Sequence, residues 1–156
     1  MTHQYTVTIT WRREPDADFA RGRYSRAHRW RFDGGIDVPA SASPHVVPAP
    51  YAPEAAVDPE EAYIASISSC HMLTFLDLAR RGGFVVDSYE DQTEGEMEKI
   101  EDHRYWVARV ILRPRITFAG DSPDAAQVDE LHHLAHQYCF IANSVRTDIR
   151  VEPPAA

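Results

Sequence analysis

The chain has few cysteines, no excess of positive charge and no long apolar run, and each absence excludes a class of protein. Only 2 of its 156 residues are cysteine, which is too few for a zinc site built from cysteines alone. A net charge of −8 disfavours non-specific nucleic-acid binding, which requires a basic surface. No apolar run approaches the roughly 20 residues of a membrane span, so we expect no membrane-spanning segment.

The overall composition is typical of a globular protein. Hydrophobic residues make up 44% and charged residues 26% of the chain, and its length suits one domain, which we predict over 1–156. The N-terminal segment lacks the apolar core of a signal peptide, which favours the cytoplasm. A permanent disulfide is unusual in that compartment, so a bond between the two cysteines would be transient and functional.

Apolar periodicity predicts an α+β fold with antiparallel strand pairs, in the order β-β-loop-α-β-β-α-β. Strands are predicted over 5–11, 24–32, 84–98, 103–118 and 145–151, and helices over 58–81 and from 122 to near 139. The segment 36–57 contains five prolines and is predicted to be a long loop, whose role the pattern leaves open.

The first predicted helix has clear signals at both ends. Asp58 is a favourable N-cap, Pro59 suits the first helical position, and Glu61 completes a capping box. Two glycines, Gly82 and Gly83, follow the last turn. The middle of the helix is apolar almost all round, which predicts a central, buried helix.

The two cysteines, Cys70 and Cys139, lie 69 residues apart, each within a predicted helix at a position that the apolar pattern would bury. One interpretation is that both pack as small hydrophobic residues. The other is a dithiol pair that the fold brings together. Cys70 lies in mid-helix, away from the helix N-terminus, and burial disfavours a thiolate, so a reactive Cys70 needs a cation beside it.

Arg26 is the candidate cation, because the alternation of the strand 24–32 places it on the aromatic, inward face. Glu60 lies in the first turn of the helix, ten residues before Cys70. That spacing is close to three turns, so Glu60 can hold a guanidinium on the side that Cys70 faces. A purely structural interpretation carries about equal weight. In it, Arg26 is only a charged side chain of a half-exposed strand, and Glu60 only complements the helix dipole.

Two segments resemble the OsmC/Ohr family of thiol peroxidases. The stretch DPEEAYIASISSC, from Asp58 to Cys70, resembles the family helix in which an (N/D)-P-E-(E/Q) start leads to a cysteine ten residues after the glutamate. The stretch HQYCFIANSV, residues 136–145, resembles the segment of the family's second cysteine. The order of elements is similar over nearly the whole chain.

The resemblance implies an OsmC-like fold, with antiparallel sheets packed on a long central helix in an intertwined homodimer. It implies that Cys70 attacks the peroxide and becomes a sulfenic acid, and that Cys139 condenses with it to a disulfide. An arginine and Glu60 would stabilise the thiolate, without a cofactor or a metal ion. The active site would lie near each subunit interface. In the organic-hydroperoxide branch a dithiol such as lipoamide is the reductant.

The sequence departs from the family pattern in places. Cys70 is followed by His71 and Met72, and Cys139 by Phe-Ile-Ala-Asn instead of the Pro-Tyr-Ser-Asn of the organic-hydroperoxide branch. The preferred peroxide and reductant therefore stay open. The arginine is assigned to Arg26 on strand phase, and a shifted alignment would make it Arg23 or Arg21.

A histidine cluster suggests a different class of site. His132, His133 and His136 lie close to Cys139 in the sequence, and 132 and 136 share one helix face. The Glu of an HExxH motif is missing, and the interpretation as polar histidines on a helix flank is roughly four times as strong.

The predicted function is therefore a cytoplasmic, cofactor-free thiol peroxidase that reduces organic hydroperoxides, with hydrogen peroxide as a further candidate. The stronger alternative is a redox-sensing or small-molecule-binding dimer without turnover. The weaker one is a metal-dependent hydrolase that uses the histidines.

Overall fold

The computed structural model describes residues 2–154 and confirms the α+β class. Its strands are β1 (Val7–Thr10), β2 (His28–Phe32), β3 (Asp37–Ala40), β4 (Val85–Asp91), β5 (Glu94–Glu101), β6 (Arg104–Leu112), β7 (Pro114–Ala119) and β8 (Asp148–Val151). Its helices are α1 (Pro59–Arg81) and α2 (Ala125–Tyr138), with short 3₁₀ helices at Phe19–Arg21 and Ala142–Ser144.

The chain forms two compact units, residues 1–62 and 63–156, and the predicted single domain over 1–156 stays a prediction. The first unit holds an antiparallel sheet in the order β1-β2-β3. The loop predicted over 36–57 is wrong in part, because β3 lies within it. Pro39 is compatible with this strand because β3 is an edge of the sheet, where a missing N–H costs no ladder bond.

The second unit holds an antiparallel pair, β4-β7, and a three-stranded sheet in the order β5-β6-β8. β8 runs parallel to β6, which corrects the expectation of antiparallel pairs alone. The strands predicted over 84–98 and 103–118 are each divided in two. The backbone N–H of Arg113, between β6 and β7, donates to the carboxylate of Asp91 at the end of β4. One hydrogen bond therefore joins the break after β4 to the break after β6.

α1 has the predicted ends. The backbone N–H of Glu61 donates to Asp58 Oδ1 at 2.8 Å, and the N–H of Asp58 donates to Glu61 Oε2 at 3.1 Å, which completes the capping box. After the last turn Gly83 adopts φ +84°, a left-handed conformation that favours glycine.

The buried surface of α1 is a narrow stripe. The residues buried along it, one per turn, are Ile67, His71, Phe75 and Ala79. Phe75 and Ala79 pack with two residues of α2, Leu131 and Ala135, and Ile67 packs with Val110 and Leu112 of β6. Within one chain, α1 is therefore not buried all round as its apolar composition predicts.

α1 is also long and apolar enough to cross a membrane, with a mean hydropathy of 1.2 over its most apolar window. The expectation of no membrane-spanning segment therefore does not follow from composition alone. The core helix of a soluble protein meets the same criteria, and a polar side chain, His71, lies within the buried stripe of α1.

β5 approaches α1 so closely that glycine is required at one position. A Cβ built on Gly95 would lie 2.8 Å from Cγ1 of Ile64. We therefore expect Gly95→Ala to lower the free energy of unfolding by about 1–3 kcal/mol through overpacking, measured by denaturant titration. Gly34→Ala is the matched control, because nothing lies within 4 Å of its Cβ position. If Gly95→Ala destabilises no more than Gly34→Ala, the close approach is wrong.

Candidate active site

The two cysteines meet in the second unit, where α1 passes the end of α2. The Cys70 side chain lies close enough to the Cys139 thiol to raise its pKa, and neither cysteine is in a disulfide. Cys139 is only 1% exposed, whereas Cys70 is half-buried and borders a pocket. The fold thus brings together two thiols 69 residues apart and leaves one of them accessible.

The environment of Cys139 keeps it protonated. Burial, followed by the hydrogen bond with Cys70, raises the pKa of the Cys139 thiol to about 11, although the backbone N–H groups of Ala142 and Ile141 act in the opposite direction. At neutral pH Cys139 is therefore a thiol and a poor nucleophile.

The chain after α2 fixes the position of Cys139. Its backbone N–H donates to the carbonyl of Ala135 at 2.9 Å as the helix ends. The side-chain amide of Asn143 donates to the carbonyls of Gln137 (2.8 Å) and Cys139 (2.9 Å). Asn143 thus holds the turn that carries the second cysteine, a role for which the sequence analysis did not consider it.

A pocket of about 680 Å³ opens beside Cys70. Apart from Cys70, its lining residues are Leu73, Thr74, Asp77, Leu78 and Arg81 of α1, then Leu134 and Tyr138 of α2 and Phe140 after it. The walls are mainly leucine and aromatic side chains, and the only charged groups among the lining residues are Asp77 and Arg81. Such a pocket suits an apolar ligand.

The α1 wall of this pocket was not predicted from the sequence. Its members follow Cys70 at intervals of 3, 4, 7, 8 and 11 residues, the spacing of one helix face. This spacing was visible in the sequence. The wall contains a cation, Arg81, whose guanidinium pairs with the Asp77 carboxylate at 2.7 Å.

The structure places Arg26 in the first unit, but not as the strand phase predicted. β2 begins at His28, so Arg26 precedes the strand and the phase argument is wrong. The Arg26 guanidinium donates to the carbonyls of Gly22 (2.8 Å) and Tyr24 and lies 3.7 Å from the centroid of the Tyr24 ring.

The predicted pairing of Arg26 with Glu60 is not formed. Within residues 2–154, the Glu60 side chain makes neither an ion pair nor a hydrogen bond. Arg21 is exposed and pairs with Asp18 at 3.8 Å, and Arg23 is also exposed. Arg26 is the half-buried one of the three candidate arginines, and it borders a pocket of about 480 Å³ within the first unit.

The histidines do not form a metal centre. Within residues 2–154 no group of three or more His, Cys, Asp and Glu side chains could hold a metal ion. His132 is buried against His71, and His133 is exposed and bonded to Gln137 at 2.8 Å. The metal-dependent hydrolase therefore receives no support from the described part of the chain.

Comparison with known proteins identifies a family model and solved structures that match this chain. The family model of OsmC-like proteins matches residues 52–153. An OsmC-like protein of unknown function from Vibrio cholerae O1 biovar eltor is 47% identical, with a TM-score of 0.93 over 97% of this chain and 99% of that one. A search of the curated proteins finds no significant match.

Two more distant structures share the fold. An organic hydroperoxide resistance protein from Elizabethkingia anophelis is 17% identical, with a TM-score of 0.71 over 99% of this chain and 96% of that one. The organic hydroperoxide resistance protein OhrB of Bacillus subtilis is 19% identical, with a TM-score of 0.70 over 97% and 98%. With a family model that covers residues 52–153, the chain belongs to the family of OsmC-like proteins.

Proposed function

We propose that the protein is a cytoplasmic thiol peroxidase that reduces organic hydroperoxides with Cys70 as the attacking thiol and Cys139 as the resolving thiol. The observation that carries the proposal is the proximity of two thiols of unequal exposure. Cys70 borders a pocket, whereas Cys139 is buried and its pKa is raised. This arrangement suits an ordered reaction in which only Cys70 meets the peroxide.

The reaction has three steps. The Cys70 thiolate attacks the terminal peroxide oxygen and the O–O bond breaks, which forms a Cys70 sulfenic acid and an alkoxide, and the alkoxide takes up a proton from solvent and leaves as the alcohol. The Cys139 thiol then attacks the sulfenic sulfur, which forms the Cys70–Cys139 disulfide and releases water. A dithiol reductant of the lipoamide type restores both thiols and becomes a disulfide itself.

The pocket favours organic hydroperoxides over hydrogen peroxide. Its leucine and aromatic walls at Leu73, Leu78, Leu134 and Phe140 gain binding free energy from an alkyl or aryl group, roughly 0.8 kcal/mol for each buried methylene. Hydrogen peroxide has no such group. We therefore expect a lower KM for cumene or fatty-acid hydroperoxides than for hydrogen peroxide.

The assay follows disulfide formation and turnover separately. One equivalent of cumene hydroperoxide should remove both free thiols and lower the subunit mass by about two hydrogens. Added dithiol should then sustain repeated consumption of peroxide. A disulfide that forms once but is not turned over by lipoamide-type dithiols would favour the second candidate, a redox-sensing dimer, and intact thiols after peroxide would exclude both.

We also propose that the protein is a homodimer. Large apolar side chains at the Cys70 pocket are exposed in one chain, with Phe140 81% and Tyr138 61% accessible, and leaving such groups in water is unfavourable. Sedimentation at micromolar concentration should give twice the mass of 17.7 kDa. Phe140→Asp should shift the equilibrium towards monomer, whereas Glu98→Ala, on exposed β5, should not. A monomeric parent protein would contradict the proposal.

A further inference from the structure

A buried pair of histidines joins α1 to α2 beside the two cysteines. His71 follows Cys70 directly, and His132 precedes Cys139 by seven residues, about two helical turns. Nε2 of His71 lies 3.0 Å from Nδ1 of His132, and the rings are nearly parallel, at 13°. His71 is 1% and His132 9% exposed, so both rings are withdrawn from water.

Few groups around the pair can compensate a charge. The Phe75 ring lies 4.6 Å from the His132 ring. Within residues 2–154, Nδ1 of His71 and the hydroxyl of Tyr89 are buried without a hydrogen-bond partner. Burial of both rings penalises an imidazolium at either position.

The charged and titratable groups that face the pair come from β4 and α2. Asp91 of β4 favours protonation of both rings, and Asp129 of α2 favours protonation of His132, whereas His136 of α2 opposes protonation of His71. Asp91 already accepts hydrogen bonds from Ser68 and from the backbone of Arg113. Its attraction therefore reduces the penalty of charging the pair without a direct hydrogen bond.

The contact between the two rings needs at least one of them to be neutral. A neutral imidazole has one N–H and one bare nitrogen, so a 3.0 Å N···N contact holds a single proton between the rings. When both rings are protonated, every ring nitrogen is a donor. The two N–H groups then oppose each other, and two cations face each other in a buried site.

We propose that His71 and His132 form an acid-sensitive latch that docks α2 on α1 while at least one ring is neutral and exposes Cys139 when both are protonated. Both are positioning residues, since they hold the helices that carry the thiols. The docking does not depend on catalysis. Its consequence for the enzyme, a failure of Cys70–Cys139 disulfide formation in acid, rests on the proposed peroxidase function.

The pH range follows from the direction of the pKa shifts. Burial, followed by the two histidine neighbours, lowers the pKa of His71 from 6.5 to about 4, and burial also lowers the pKa of His132. The opened state therefore binds more protons than the docked state between roughly pH 6.5 and 4. Docking is fully stable above this range and weakens as the pH falls, by about tenfold per pH unit for each proton taken up.

The test measures the accessibility of Cys139 in the Cys70→Ser background, where Cys139 is the sole thiol. Dipyridyl disulfide is a suitable probe because it stays reactive in acid. Between about pH 7 and pH 4, the rate of Cys139 modification, relative to the same protein unfolded in denaturant, should rise once the pH is below roughly 6.5, by about tenfold per unit for each proton taken up. Circular dichroism at each pH separates this local opening from global unfolding.

Two sets of variants identify the responsible groups. His71→Gln combined with His132→Asn places amide groups near Nε2 and Nδ1, which can keep a contact that does not titrate, so the acid response should disappear. His133→Asn changes an exposed histidine of the same helix and should keep the full response. If the double variant fails to fold, His132→Asn alone should reduce the slope with pH.

The latch is overturned if the parent profile is flat, or if the histidine variants respond to acid as the parent does. Neither result bears on peroxidase activity, because no peroxide is used. Conversely, a Cys70 that does not react with peroxide would overturn the proposed function and leave the acid response of Cys139 intact.

Discussion

Replacement of Cys70 with serine should abolish peroxide reduction. A serine hydroxyl is a weak nucleophile without an adjacent base, and Cys139 cannot take over the first step. Cys139 is 1% exposed, and burial raises its pKa to about 11, so at neutral pH it offers almost no thiolate. Stopped-flow consumption of cumene hydroperoxide under single-turnover conditions should fall to the rate of protein-free buffer.

Replacement of Cys139 with serine should have a different effect. Cys70 stays intact, so the first turnover should proceed at a rate close to that of the parent protein. The reaction then stops at the Cys70 sulfenic acid, which excess peroxide converts to sulfinic acid. Mass spectrometry with a sulfenic-acid trap distinguishes the two products. Equal first-turnover rates in the parent and in Cys70→Ser would reverse the assignment of the attacking thiol.

The parts of the fold that the sequence predicted are those determined locally. The ends of α1 depend on Asp58, Glu61 and Gly83, which act within one turn of the helix, and they lie where predicted. The strand breaks near Asp91 and Arg113 depend on a hydrogen bond across 22 residues. Leu112, Pro114, Ile116 and Phe118 keep an alternating pattern through the break at Arg113, so periodicity alone merges those two strands.

In the candidate site, too, local features were predictable from the sequence and long-range ones were not. Spacing along the chain cannot predict which helices pack together, so the proximity of Cys70 and Cys139 was expected only from the family resemblance. The pocket face from Cys70 to Arg81 was predictable from helical spacing alone. The environment of Arg26 was not predictable. Its guanidinium donates to the backbone carbonyls of Gly22 and Tyr24, and every residue has such a carbonyl, so the sequence does not indicate which ones accept.

The identity of the activating cation gives the last prediction. We expect Arg26→Ala to slow the reaction of Cys70 with peroxide by about tenfold or more, because the family resemblance implies an arginine that stabilises the attacking thiolate. The proposal rests on the family resemblance and on the half-burial of Arg26. Arg29 is the control, since it lies on β2, is exposed, and pairs with Asp37 at 2.8 Å. Arg29→Ala should leave the rate unchanged.

Arg81 is the rival, because it lines the pocket that Cys70 borders. Its charge is partly compensated by Asp77, which it shares with Arg80, and it is well exposed, so its field at Cys70 is screened. Arg81→Ala should therefore change the rate less than Arg26→Ala does. Glu60→Ala should have a small effect in the same direction as Arg26→Ala only if Glu60 contacts the guanidinium in the working enzyme.

The rate of Cys70 alkylation as a function of pH, measured in Cys139→Ser, reports the thiolate directly and is compared with the single-turnover rate for peroxide. If Arg26→Ala alone lowers both the alkylation rate and the peroxide rate, Arg26 is the activating cation. If Arg21→Ala or Arg23→Ala lowers both rates instead, the activating cation is that arginine. If only Arg81→Ala lowers both rates, the activating cation belongs to the same helix face as Cys70, eleven residues further along α1, and the arginine inferred from the family is not the one this chain uses.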